Sequence, residues 1–63
     1  MYAGTLIKDF GKAKLYRREY FCGRTTPIVE WFYIYTNKDG KECHSREYRT
    51  RRDAMADAVF YIA

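Results

Sequence analysis

Several features that mark familiar classes of small protein are scarce in this sequence. Its 63 residues include one proline, one histidine and two cysteines. Secreted miniproteins of this size usually carry more cysteine pairs, so Cys22 and Cys43 are expected to be separate reduced thiols in a cytoplasmic protein. No apolar run is long enough for a signal-peptide core or a membrane span, so no membrane partner is expected.

Catalytic and metal-binding patterns are missing as well. No spacing matches a zinc knuckle, a glycine-rich phosphate loop or a nucleophile elbow. His44 follows Cys43 on a predicted strand, so their side chains point to opposite faces and do not form a nucleophilic pair. Asp53 and Asp57 suit the start of a helix better than acid and base catalysis. We therefore expect no enzymatic activity, no cofactor and no metal site.

What is present is a basic and aromatic chain. Twelve Lys and Arg residues exceed eight Asp and Glu, the net charge is +4 and the pI is about 9.2, and aromatic residues make up 19%. This balance indicates DNA, RNA or an acidic protein surface as the partner, although the same charge also suits a soluble protein without one. A chain of this length has room for one small core, so residues 1–63 are expected to form a single domain.

Turn residues divide the chain into four predicted strands. Residues 9–12 and 37–40 have the composition typical of tight turns, and the single proline lies in a loop over residues 23–27. The strands are predicted at residues 3–8, 13–21, 28–36 and 41–48. Successive strands joined by short connections favour an antiparallel meander of three to four strands.

The last segment has the period of a helix. Thr50 is placed to accept a hydrogen bond from the backbone N–H of Asp53. An apolar helical face follows, formed by Ala54, Met55, Ala58, Val59 and Ile62. One C-terminal helix is therefore predicted to pack on one face of the sheet, which gives an α+β fold class and leaves the other sheet face to solvent or to a partner.

Alternation along the strands assigns side chains to the two sheet faces. The more aliphatic rows are expected to face the helix, namely Ala13, Leu15 and Phe21 on the second strand and Ile28, Phe32 and Ile34 on the third. The open face is then a basic and aromatic platform of Lys14, Tyr16, Arg18, Tyr20, Trp31, Tyr33 and Tyr35. An alternative interpretation places the Trp31 row in the core, because a small core often recruits its only tryptophan, and turns the Phe32 row outward.

Basic residues gather in two places along the chain. One group surrounds the second strand, and the other leads into the helix, where side-chain charge and free backbone N–H groups can hold phosphate together. The residues predicted to bind nucleic acid or another partner are therefore Lys14, Tyr16, Arg17, Arg18, Trp31, Tyr33, Tyr35, Arg46, Arg49, Arg51 and Arg52.

Four pieces of the sequence occur in a familiar order. They are the basic strand Leu15-Tyr16-Arg17-Arg18, the aromatic strand opening at Trp31, the turn Asp39-Gly40-Lys41, and Tyr48-Arg49-Thr50 leading into Ala54 and Ala58. Over residues 14–62 this order resembles the plant AP2-type and integrase arm-type DNA-binding domains, which are three-stranded sheets followed by a helix. The resemblance implies that the open sheet face enters the major groove and that Arg17, Arg18 and Trp31 contact bases and backbone. The extra first strand, and Ser45-Arg46 where the family tends to place a glycine, depart from the family pattern.

Three functions compete at this point. The leading one is a small non-enzymatic module that binds nucleic acid through its open sheet face. The rival is a phage or mobile-element protein that inhibits a host nucleic-acid-processing or defence complex by binding it, since Tyr, Trp and Arg also dominate protein interfaces. The third is a homodimer that buries the aromatic face against itself.

Overall fold

In a computed structural model that describes residues 4–21, 23 and 25–62, the chain forms a four-stranded antiparallel sheet followed by two short helices. The elements are β1 (Thr5–Asp9), β2 (Ala13–Tyr20), β3 (Ile28–Thr36), β4 (Glu42–His44), α1 (Arg51–Ala56) and α2 (Val59–Ile62). The sheet order is β1-β2-β3-β4, so the predicted α+β class and antiparallel meander are confirmed. The prediction of one C-terminal helix is corrected to two. Ala3, where the first strand was predicted to begin, lies outside the described residues.

The β3–β4 hairpin is formed by the turn that the sequence predicts. The side-chain Oδ1 of Asn37 accepts hydrogen bonds from the backbone N–H groups of Asp39 and Lys41, at 2.9 and 3.0 Å. Gly40 follows with φ of 80°, and Gly11 has φ of 91° in the β1–β2 turn. Both glycines are required, because this left-handed backbone region disfavours residues that carry a Cβ.

The fourth strand is shorter than predicted and ends at His44. The next residue uses its side chain as well as its backbone: Ser45 Oγ accepts a hydrogen bond from the Tyr33 N–H at 2.8 Å, and the Ser45 N–H donates to the Tyr33 carbonyl at 2.9 Å. Pairing with β3 resumes at one position, where Tyr48 and Trp31 exchange backbone hydrogen bonds of 2.7 and 2.8 Å. The chain therefore stays on the edge of β3 as an irregular segment instead of a regular strand.

The helical segment begins as predicted and then breaks. Thr50 Oγ1 accepts a hydrogen bond from the Asp53 N–H at 3.1 Å, which caps α1. At Asp57 the backbone leaves helical geometry, with φ of −97° and ψ of 5°. The Ala58 N–H then donates to the carbonyl of Met55, three residues earlier, at 3.2 Å. This tighter turn separates α1 from α2.

The break changes which helical residues reach the sheet. Ala54 is fully buried, as the predicted apolar face requires, but Val59 is 58% exposed and is not part of the core. Tyr61 contacts the sheet instead, with its ring stacked on Tyr33 at a centroid distance of 4.7 Å. The positions of Ala54, Ala58 and Tyr61 follow the i, i+4, i+7 pattern, so the sequence contained a signal for this face.

The core lies between the helices and one face of the sheet. Leu15 pairs with Tyr33 across β2 and β3, and both side chains are fully buried. The buried cluster consists of Ala13, Leu15, Tyr33, Tyr48, Ala54 and Ala58. The predicted orientation of β2 is therefore correct, but that of β3 is wrong: the row of Trp31, Tyr33 and Tyr35 faces the helices. Phe21, which was also predicted to face the core, is 61% exposed and follows the end of β2.

Candidate functional site

The predicted binding platform is divided between the two faces of the sheet. Trp31, Tyr33 and Tyr35 lie on the helix-covered face, where the Tyr33 hydroxyl donates a hydrogen bond to the Ala54 carbonyl at 2.7 Å. Burial raises the pKa of the Tyr33 hydroxyl above its ordinary value. The Tyr61 ring contacts Tyr33 and also lies 5.1 Å from the ring of Tyr35. Tyr33 is buried, and Trp31 and Tyr35 are half-buried against the same core, so the prediction that they form an open platform is wrong.

The other sheet face, here called the helix-free face, carries its own row of stacked rings. Tyr16 stacks on Phe32 with centroids 5.6 Å apart and an interplanar angle of 11°. His44 stacks on Phe32 at 4.5 Å and 15°. Phe32 is only 1% exposed although no helix covers it. The central ring of this face is therefore covered by its neighbours.

Arg18 lies on the helix-free face within an ion pair. Its guanidinium contacts the Glu30 carboxylate at 2.5 Å, and the hydrogen bond from this pair raises the pKa of Arg18. The same guanidinium lies over the rings of Phe32 and Tyr20, at 5.3 and 5.6 Å from their centroids. Its charge is balanced by Glu30, and its planar group helps to cover Phe32.

The other cations of β2 also have acids beside them. Arg17 forms an ion pair with Glu19 at 3.0 Å and lies 5.9 Å from the Trp31 ring, on the helix-covered face. Lys14 is exposed on the helix-free face, in register with Asp9 of β1. The two sheet arginines are therefore on different faces, and each has a glutamate partner.

The second basic group is arranged differently. Residues 46–52, here called the arginine segment, contain four arginines and one glutamate, which gives a formal charge of 4 − 1 = +3. All four arginines are exposed. The Arg46 guanidinium lies 4.9 Å from the Tyr48 ring. Within the described residues, Arg49, Arg51 and Arg52 form no ion pair with any carboxylate.

A buried residue anchors the middle of the arginine segment. Tyr48 is 3% exposed, and its hydroxyl donates a hydrogen bond to Asp57 Oδ2 at 2.8 Å and lies 3.0 Å from the Tyr61 hydroxyl. Burial, together with these hydrogen bonds, raises the pKa of Tyr48. Its backbone is paired with Trp31 of β3. The backbone that bears the arginines on either side of Tyr48 is thus held in place by this buried residue.

Other kinds of site have less support in the described part of the chain. No group of three or more His, Cys, Asp or Glu side chains there is placed to hold a metal ion. None of the helices described has the length and apolar character needed to cross a membrane. Cys43 is half-buried, with its thiol 3.7 Å from the Lys41 carbonyl oxygen. Cys22 lies outside the described residues, so the separation of the two thiols stays a prediction.

Comparisons with protein-family models, with curated proteins and with solved structures find no match for this chain. The resemblance to AP2-type and integrase arm-type domains therefore stays a prediction. Of the three residues to which it gives contacts with DNA, Arg18 lies on the helix-free face, whereas Arg17 and Trp31 lie on the helix-covered face.

Proposed function

We propose that this protein is a small non-catalytic module that binds nucleic acid by holding the phosphate backbone with its arginine segment. The observation that carries the proposal is the contrast in charge pairing. The strand arginines have glutamate partners, whereas Arg49, Arg51 and Arg52 have none among the described residues. Exposed cations without internal partners are free to replace the counterions of a polyanion, which is the main source of sequence-independent affinity.

The composition of the helix-free face supports the same choice of surface. Its charged residues on the four strands are mixed in sign, with two cations and three carboxylates: Lys14, Arg18, Asp9, Glu30 and Glu42. Such a face attracts a polyanion weakly, because the carboxylates repel phosphate. The arginine segment is therefore the better candidate for binding phosphate. The helix-free face contributes only where it adjoins this segment.

Salt dependence of binding tests the proposal. A labelled duplex and a labelled single strand would be titrated by fluorescence anisotropy over a series of salt concentrations. Arg49→Ala and Arg52→Ala should each weaken binding about equally on all sequences and reduce the salt slope by about one. Arg17→Ala is the matched control and should leave the slope unchanged, since Arg17 is already paired with Glu19.

Three outcomes would contradict the proposal. Loss of binding in Arg17→Ala or Arg18→Ala, with Arg49→Ala unaffected, would favour the sheet face and the AP2-type mode. An unchanged slope in the Arg49→Ala/Arg52→Ala double variant would exclude the arginine segment. Absence of nucleic-acid binding at low salt would favour the protein-binding alternative. Thermal melts should show that Arg49→Ala and Arg52→Ala, at exposed positions, change stability by no more than about 0.5 kcal/mol.

The second candidate is an inhibitor or adaptor, such as a phage or mobile-element product, that binds a host protein complex in the cytoplasm. The observation in its favour is the apolar surface of α2, where Phe60 is 76% and Val59 is 58% exposed. Large exposed rings are common anchors of protein interfaces. A Phe60→Ala/Val59→Ala variant that loses a host partner in a pull-down, while the arginine variants retain it, would support this candidate. The elution volume in gel filtration tests the remaining option of a homodimer.

A further inference from the structure

We infer that the open hollow beside the start of β3 is a nucleobase site, which receives one unpaired base of a bound strand while the adjoining phosphate lies on Arg49. This inference rests on the proposed function. The hollow has a volume of about 340 Å³ and is lined by Tyr20, Ile28, Val29, Glu30, Glu47, Tyr48 and Arg49. A cavity of about 150 Å³ already holds benzene, so a one-ring or two-ring base fits.

The backbone of Val29 gives the hollow a hydrogen-bonding edge. Trp31 directs its N–H and carbonyl toward Tyr48, and backbone groups alternate in direction along an antiparallel strand, so those of Val29 point to the same side. The chain has turned away there to begin α1. No described residue pairs with Val29 on that side. A donor and an acceptor on one half-buried residue match the adjacent donor and acceptor of a base edge.

The side chains around this edge supply the other contacts that a nucleotide needs. Tyr20 is 36% exposed, and the Arg18 guanidinium lies over its ring at 5.6 Å from the centroid. Stacking of a base on such a ring is tolerant of base identity. The Glu30 carboxylate forms a close ion pair with Arg18, whereas the Glu47 carboxylate lies 3.6 Å from His44 Nδ1. A carboxylate accepts hydrogen bonds from exocyclic amino groups such as that of cytosine. The site therefore favours amino-bearing bases over thymine and uracil.

The position of Arg49 favours a nucleotide over an extended peptide as the ligand of the hollow. A peptide strand could also pair with the Val29 backbone, but it would bring no phosphate to the cation at the rim. Arg49 belongs both to the hollow and to the arginine segment. One nucleotide can therefore place its base on Val29 and its phosphate on Arg49, and the rest of the strand can continue along the other arginines.

A titration with small ligands tests the base contact directly. Cytidine 5′-monophosphate and ribose 5-phosphate carry the same phosphate and sugar, and only the first carries a base. In ¹⁵N–¹H NMR spectra, both should shift the amide of Arg49, and only the nucleotide should shift the amide of Val29. Equal shifts of Val29 with the two ligands, or no shift with the nucleotide, would overturn the inference.

Strand binding provides the second test. An oligodeoxycytidine should bind more tightly than an abasic strand of equal length and charge, and Tyr20→Ala should weaken the first by roughly tenfold without affecting the second. Val29→Pro removes the free N–H at an edge position where proline is tolerated, and it should have a similar effect. Tyr20→Phe keeps the ring and should bind normally, as should Phe60→Ala, the matched control at an exposed ring elsewhere.

The results separate the two proposals. If the abasic strand binds as tightly as oligodeoxycytidine, with the salt slope still dependent on Arg49 and Arg52, the nucleobase site is excluded and the proposed function stands. If no strand binds at low salt, both are overturned. Tighter binding to oligodeoxythymidine than to oligodeoxycytidine would contradict the role given to Glu47.

Discussion

The two faces of this sheet bury adjacent residues by different means. Phe32 and Tyr33 are neighbours in β3, point to opposite faces, and are 1% and 0% exposed. Tyr33 is buried by a second layer of structure, the two helices, from which the Ala54 carbonyl and the Tyr61 ring contact it. Phe32 is buried by flat groups lying over the sheet, namely the rings of Tyr16 and His44 and the guanidinium of Arg18.

The comparison shows how a chain with one helical layer can close both faces of a sheet. Stacked rings and a planar cation exclude water from a central ring without adding another element. The helix-free face therefore has no bare central ring, and its one arginine, Arg18, is paired with Glu30. The described arginines that lack an ion-pair partner lie instead at the edge of the sheet, on the arginine segment.

The first prediction uses the matched pair of buried rings and should give the largest effects. Tyr33→Ala should lower the free energy of unfolding by about 3 to 5 kcal/mol, because it leaves a cavity closed by the helices. The loss of unfolding free energy in Phe32→Ala should lie at or below the lower end of that range, because Tyr16 and His44 can move into the vacated space from an open face. Urea unfolding of the two variants measures the difference. A larger loss for Phe32→Ala would mean that the stacked rings are the main core.

The second prediction concerns the hydrogen bond that closes the edge of β3. Ser45→Ala should cost about 1 to 3 kcal/mol, because it leaves the Tyr33 N–H buried without its acceptor. Thr50→Ala is a control that also removes one hydroxyl acceptor of a backbone N–H, but at an exposed helix cap. Hydrogen exchange of the Tyr33 amide should accelerate in the first variant and not in the second.

The third prediction is a loss of stability at high pH that originates on the helix-covered face. The unfolded chain releases the Tyr48 proton near pH 10, whereas the folded protein retains it because burial raises the pKa. The free energy of unfolding should therefore fall above pH 10, by up to about 1.4 kcal/mol per pH unit for each such tyrosine. Tyr48→Phe should reduce this slope above about pH 10. Tyr16→Phe, on the helix-free face, is the control, and an equal reduction in both variants would contradict the assignment.

The fourth prediction has the smallest effect and tests the cation on the helix-free face. Arg18→Met keeps a long apolar side chain over Phe32 but removes the ion pair with Glu30. Because this pair is partly exposed, the variant should change stability by no more than about 1 kcal/mol. Unfolding at low and high salt measures the electrostatic part. A loss several times larger would show that the guanidinium is required to seal this face.

The elements themselves could be predicted because their signals are local. The asparagine and glycine of the β3–β4 turn, the bounds of β3 and the Thr50 cap each depend on a few adjacent residues. The early end of β4 could not be predicted, because it depends on a serine side chain that takes the place of a strand partner. The break at Asp57 also has no local signal in the sequence, and the Asp57 side chain there accepts a hydrogen bond from Tyr48, nine residues away.

The orientation of β3 failed for a different reason. Both of its rows are apolar, so alternation alone does not distinguish them, and the choice depends on the register with β2. In the observed register Leu15 pairs with Tyr33 and Tyr16 with Phe32. A shift by one residue would have exchanged the rows. The error also placed Trp31, Tyr33 and Tyr35 in the predicted open platform, although they face the helices. The arginine segment could be singled out from the sequence because clustered charge is visible there, and its role in binding stays a prediction.

The meander order of the sheet bears on how the protein folds. Each strand pairs with the next one along the chain, and such neighbouring pairings form faster than pairings distant in sequence. The arginine segment, by contrast, is fixed only when Tyr48 reaches Trp31 on an existing β3. We expect the hairpins to belong to the folding nucleus and the binding segment to dock afterwards, with φ values near zero for substitutions at Tyr48. φ values near one at Tyr48 would place the arginine segment in the folding nucleus. If the values are near zero, substitutions that alter the charge of the segment should have little effect on the folding rate.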